Sequence, residues 1–144
     1  MTLSYIPEIE NTVLTSCADL ISQFNFTIHK ISKNDVLLLS EKCAINISAA
    51  ISPIGEEAID IRFFDPSDGV NSRRYFSNMF LLYINTRREP RDVMNECLKN
   101  EVEREPTFEE TIRIALTCFT AHTLKYRRDI LNGDFTSWLP KSMS

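Results

Sequence analysis

The chain predicts an α+β fold: an N-terminal helix, an antiparallel β-meander of about four strands, and C-terminal helices packed on one face. Three observations predict it. Apolar residues recur at three- and four-residue spacing near the start, alternate with polar ones through the middle, and return to the helical spacing after Thr107. The 144 residues read as a single domain, 1–144, without repeats, low-complexity tracts or a flexible linker. A domain of that size buries roughly 68 to 70% of the surface its unfolded chain exposes, enough for a core without covalent staples.

Ile6, Ile9, Val13, Cys17, Leu20, Ile21 and Phe24 line one side of a first amphipathic helix of about five turns, while Glu8, Glu10, Asn11 and Asp19 occupy the other. From Phe26 to Ile31 the period drops to two. The turn-forming Ser32-Lys33-Asn34-Asp35 and the β-rich Val36 to Leu39 complete a hairpin. Ala44 to Ser52 and Ala58 to Phe64 alternate as half-buried strands, joined through Pro53, Gly55 and the Glu56-Glu57 pair; such short links favour an antiparallel meander. Asp65-Pro66-Ser67-Asp68-Gly69 is turn chemistry.

Tyr75 to Ile84 is apolar and fits helix or strand; the spacing of Phe76, Met79, Phe80 and Tyr83 favours helix. After Arg87-Arg88-Glu89-Pro90-Arg91, a short surface helix over Asp92 to Glu103 would use Val93, Cys97 and Val102. Thr107-Phe108-Glu109-Glu110 has the form of a capping box. Phe108, Ile112, Ala115, Phe119 and Tyr126 form the apolar stripe of the helix it starts. Lys125, Arg127 and Arg128 lie in its final turns, where cations complement the carbonyl end of the dipole, and Gly133 is the natural left-handed stop. Asp134 is placed to cap a turn through Phe135, Thr136 and Ser137. Phe135 and Trp138, the sole tryptophan, can then fold back as anchors; a buried Trp138 would cost about 3 to 5 kcal/mol on truncation to Ala.

Composition narrows the function classes. A formal net charge of −4 opposes nucleic-acid binding, which needs clustered Lys and Arg, but suits steering toward a basic protein partner. The basic group Arg73, Arg74, Arg87, Arg88 and Arg91 is interspersed with acids and forms no stripe. Cys17, Cys43, Cys97 and Cys118 are widely spread within apolar runs, as reduced core thiols are. Met1 to Tyr5 lacks the basic and apolar regions of a cleaved signal, and no window approaches the ~18 apolar residues of a membrane helix, so a soluble cytoplasmic protein is expected, with no membrane partner.

Sites of chemistry are scarce. With Gly55, Gly69 and Gly133 as the only glycines, no glycine-rich loop can cradle a phosphate, and no cofactor is expected. His29, on the exposed face of a strand, and His122, on the last helix, lack the pairing of a zinc site. Cys118 and His122 share helical i, i+4 spacing, the nearest approach to a nucleophile and base, but without a third group or oxyanion loop they read as core packing beside a boundary histidine. Asp60, Asp65 and Asp68 lack the alternating oxygen ligands of a calcium loop. No catalytic residue and no metal ligand is assigned.

Ile130-Leu131-Asn132-Gly133-Asp134-Phe135-Thr136-Ser137-Trp138, following an amphipathic helix, resembles the hydrophobic-Leu-x-Gly-Asp-Phe-x-x-Trp ending of small bacterial α/β proteins. Several of these are immunity partners of polymorphic or contact-dependent inhibition toxins. The resemblance covers the last quarter of the chain and implies a cytoplasmic protein, not an enzyme, that binds a cognate toxin domain and occludes its active site. It transfers no binding motif. Charge alone nominates Glu101, Glu103, Glu105, Glu109 and Asp92, or Glu56, Glu57 and Asp60 at the sheet edge, as partner-binding residues. The leading helix, meander and trailing helix also resemble secretion chaperones, homodimers whose dimer surface would be the Tyr75 to Ile84 run. A small enzyme is the third alternative, and the oligomeric state stays open.

Overall fold

The computed structural model describes residues 8–51, 53, 54, 57–68, 75–77 and 107–134. Within them the order is α1 (Glu10–Ser16), α2 (Ala18–Phe24), β1 (Thr27–Ser32), β2 (Asp35–Leu39), β3 (Ala44–Ile51), β4 (Glu57–Phe64), a 3-10 turn (Pro66–Asp68), β5 (Tyr75–Ser77), α3 (Phe108–Tyr126) and α4 (Arg128–Leu131). The strands form one antiparallel sheet in the order β1-β2-β3-β4-β5. The α+β arrangement with helices on one face of a meander is therefore the architecture of the chain.

Where the first helix reads as continuous in sequence, it is broken at Cys17, whose φ of −106° and ψ of 16° leave the helical region. The Thr15 hydroxyl donates to the Asn11 carbonyl at 2.8 Å, the type of local bond that bends a helix. Cys17 N still donates to Val13 O and Ile21 N to Cys17 O. Val13, Cys17 and Leu20 consequently face the core together despite the break. α2 stops at Asn25, in the left-handed region with φ 56°, and Phe26 N reaches back to Ile21 O.

Strand alternation sorts the sheet into two faces. Val36, Leu38, Ile45, Ile47, Ala49, Ile61 and Phe63 point to the helices and join Ile9, Val13, Cys17, Leu20, Ile112, Leu116, Phe119, Ile130 and Leu131 in one core. The rings of Phe63 and Phe119 meet at 5.7 Å and an interplanar angle of 48°, fastening β4 to α3. On the opposite face Leu37, Ala44 and Phe64 form a smaller buried cluster.

The run beginning at Tyr75 opens as strand rather than helix. Arg62, Phe63 and Phe64 pair with Ser77, Phe76 and Tyr75, so the open backbone of β4 decides the matter for these aromatic-rich residues against their helical spacing. Residues 78–84, the predicted Asp92 to Glu103 helix, and Phe135 to Trp138 lie outside the described residues.

The capping box forms as read. Glu110 N donates to Thr107 Oγ1 at 3.2 Å while Thr107 N donates to Glu110 Oε1 at 3.0 Å. At its far end the helix does not run on to Gly133. It breaks at Arg127 (φ −126°, ψ 27°), and the four-residue α4 follows. Gly133 then terminates α4 at φ 92°, with Gly133 N bonded to Ile130 O and Asp134 N to Asp129 O, the two bonds of a Schellman end. Tyr126, expected on the apolar stripe, is 38% exposed, and Arg127, expected as a terminal cation in solvent, is fully enclosed.

Candidate functional site

Three regions carry the groups that could act. The first is the face of the sheet turned away from the helices. Cross-strand register there places His29, Leu37, Asn46, Arg62 and the backbone of Ser77 in one row, with Asp35, Ser48 and Asp60 in the next. Asn46 Nδ2 donates to Asp35 Oδ1 at 2.6 Å, Asp60 Oδ2 meets Arg62 Nε at 2.6 Å, and Thr27 Oγ1 is 2.9 Å from His29 Nε2. Asp60 is thus an acid with its counter-ion beside it. Their side chains are 44% and 45% exposed, and an ion pair so open to water contributes about 0 to 1 kcal/mol.

This face is bounded at one end by both hairpin turns, because β1–β2 and β3–β4 reverse on the same side of the sheet. Asn34 locks the two together: Ala49 N donates to Asn34 O at 2.9 Å and Asn34 Nδ2 to Ala49 O at 2.6 Å. Ile31, beside a register shift in β1, is 49% exposed there, and Ile54 in the β3–β4 turn is 81% exposed. Neither was singled out by sequence. A signal existed for Ile54, an aliphatic residue in a turn between Pro53 and Gly55, where turn chemistry favours polar side chains.

The acidic residues nominated by charge do not form one patch. Glu57 opens β4 opposite Ile51, and Asp60 follows on the outward face. Glu109 is exposed in the first turn of α3, in the helical layer, so the sheet lies between it and Asp60. Glu56, Asp92, Glu101, Glu103 and Glu105 are outside the described residues. Glu8, beyond those candidates, bonds Lys30 Nζ at 2.9 Å, which holds its carboxyl below the usual range and raises the Lys30 ammonium.

The second region is the thiol and imidazole set along α3. Cys17, Cys43 and Cys118 are free and buried. Burial pushes the Cys17 thiol up to about 11, against a small lowering effect from the Thr120 hydroxyl beside it. It pushes Cys43 higher still, with Asp65 acting in the same direction. Such thiols hold almost no thiolate at neutral pH. Cys118 is 6% exposed one helical turn before His122. The His122 ring stacks on Tyr126 with centroids 5.8 Å apart, and its Nδ1 is enclosed with no hydrogen-bond partner among the described residues. Burial lowers the His122 pKa, and the positive charges of Arg127 and Lys125 lower it further.

Arg127 is the feature the sequence reading missed. Its guanidinium carbon lies 5.8 Å from the centre of the Phe63 ring, and Nη1 approaches Thr123 Oγ1 at 3.4 Å. Burial lowers its pKa to about 9, opposed by Cys118. The available signal was spacing, since Arg127 continues the buried series Phe119, Thr123 by one further turn.

The third region is a cleft of about 410 Å³ between the carboxyl ends of α2 and α4 and the β2–β3 turn. Gln23, Phe24, Asn25, Ser40, Glu41 and Lys42 line most of it. Ser40 builds the turn by accepting from Lys42 N and Cys43 N through its hydroxyl. Arg128 bonds Gln23 Oε1 at 3.4 Å and covers the Phe24 ring at 5.7 Å.

Among the described residues, no group of three His, Cys, Asp or Glu side chains is disposed to share a metal ion, and no helix is long and apolar enough to cross a membrane. The Asp65 carboxylate accepts from Ser67 N at 3.0 Å and Ser67 Oγ at 2.8 Å, which makes it part of the turn. Comparisons with protein-family models, with curated proteins and with solved structures found no match.

Proposed function

We propose that the chain is an immunity protein that binds a cognate toxin domain and covers its active site, making contact through the hairpin end of the outward sheet face. The observation that carries the reading is Ile54, 81% exposed in the same short segment as the acidic Glu56, Glu57 and Asp60. An aliphatic anchor beside like charges is the composition of a contact that gains affinity from apolar burial and association rate from electrostatic steering. Ile31 adds a second apolar residue at the same end. The mechanism is occlusion over an interface of roughly 1,200 to 2,000 Å² in total, with no catalytic step in this chain.

The test uses the purified chain and the toxic C-terminal domain encoded by a neighbouring gene. Ile54→Asp should weaken the complex at least about tenfold, and Asp60→Lys should slow association and flatten its salt dependence. Glu109→Lys, beyond the sheet, should leave the Kd unchanged. A Kd sensitive to Glu109→Lys and indifferent to Ile54→Asp would shift the contact to the helical side. Failure to bind the toxin domain, together with a tight homodimer in light scattering that captures an unfolded effector segment, would replace this reading with a secretion chaperone.

A further inference from the structure

We draw no further inference here: the strongest candidate, the cleft between the ends of α2 and α4 and the β2–β3 turn, carries nothing because Glu41 and Lys42 on its rim offset each other and Gln23 and Asn132 are already hydrogen-bonded to Arg128, so nothing in it selects a ligand class.

Discussion

The Arg127 guanidinium lies over the ring of Phe63, 5.8 Å from its centroid, so the residue that separates α3 from α4 is also the one that ties this junction to the fourth strand. A long cation spreads its planar head on an aromatic face and its stem through the core. The arrangement joins segments far apart in sequence, and it explains why the last helix breaks where it does.

Arg127→Ala should therefore cost about 3 to 5 kcal/mol, the range for removing one member of a buried charged set. Arg127→Lys should recover less than half of the loss, because an ammonium cannot lie flat on the ring. Urea melts of the three proteins measure this. Superimposable curves for the Ala variant and the parent would show that the junction contributes nothing.

The lowered pKa of His122 has a definite sign. The unfolded chain takes up a proton near the ordinary pKa of 6.5, whereas the folded chain resists protonation until lower pH. The unfolded state thus binds more protons in that window, and stability is fully present above pH 6.5 and falls as pH drops toward the folded pKa. His122→Gln should lose less stability than the parent between pH 7.5 and 5.5. Equal losses would exclude His122 as a source of the acid sensitivity.

Gly133 holds φ 92°, and a Cβ built there would lie 3.4 Å from both Cβ and O of Lys42. The contact is tolerable but the dihedral is not, so Gly133→Ala should cost about 1 to 2 kcal/mol. A fall in the urea midpoint at unchanged m-value is the expected signature.

Thr107→Ala removes one hydroxyl acceptor and should cost about 1 kcal/mol, within the usual range for a cap. Glu110→Ala removes the reciprocal bond. Because the two side chains share one motif, the double variant should lose less than the sum of the singles. Strict additivity would mean that the two bonds act independently.

The buried thiols give a chemical readout. In a chain carrying Cys97→Ser and Cys118→Ser, the remaining Cys17 and Cys43 should resist a thiol reagent in the native state and react once urea is added. Native reactivity on the time scale of an exposed thiol would contradict their enclosure.

Much of this architecture was legible because it depends on neighbours in the chain. The capping box spans Thr107 to Glu110, the Schellman end spans Asp129 to Asp134, and the β1–β2 turn at Lys33 and Asn34 lies within the predicted Ser32 to Asp35. Alternation likewise identified β3 and β4 and the side of each strand that enters the core, since the side-chain period of a strand is set by its backbone. The candidate site was legible only in part. Charge drew attention to Glu56, Glu57 and Asp60, but charge cannot report that Arg62 balances Asp60 or that Glu109 belongs to the other side of the sheet.

By itself, then, the sequence determined the class of fold, the positions of its main helices and strands, and the stops written in Thr107 and Gly133. Only the tertiary structure decided that the first helix bends at Cys17, that Tyr75–Ser77 joins the sheet, that Arg127 is enclosed, and that Ile31 and Ile54 stand exposed at one end. Local features follow from bonds between residues a few positions apart, whereas these outcomes depend on which distant surface each segment meets, and no periodicity within a segment encodes its partner.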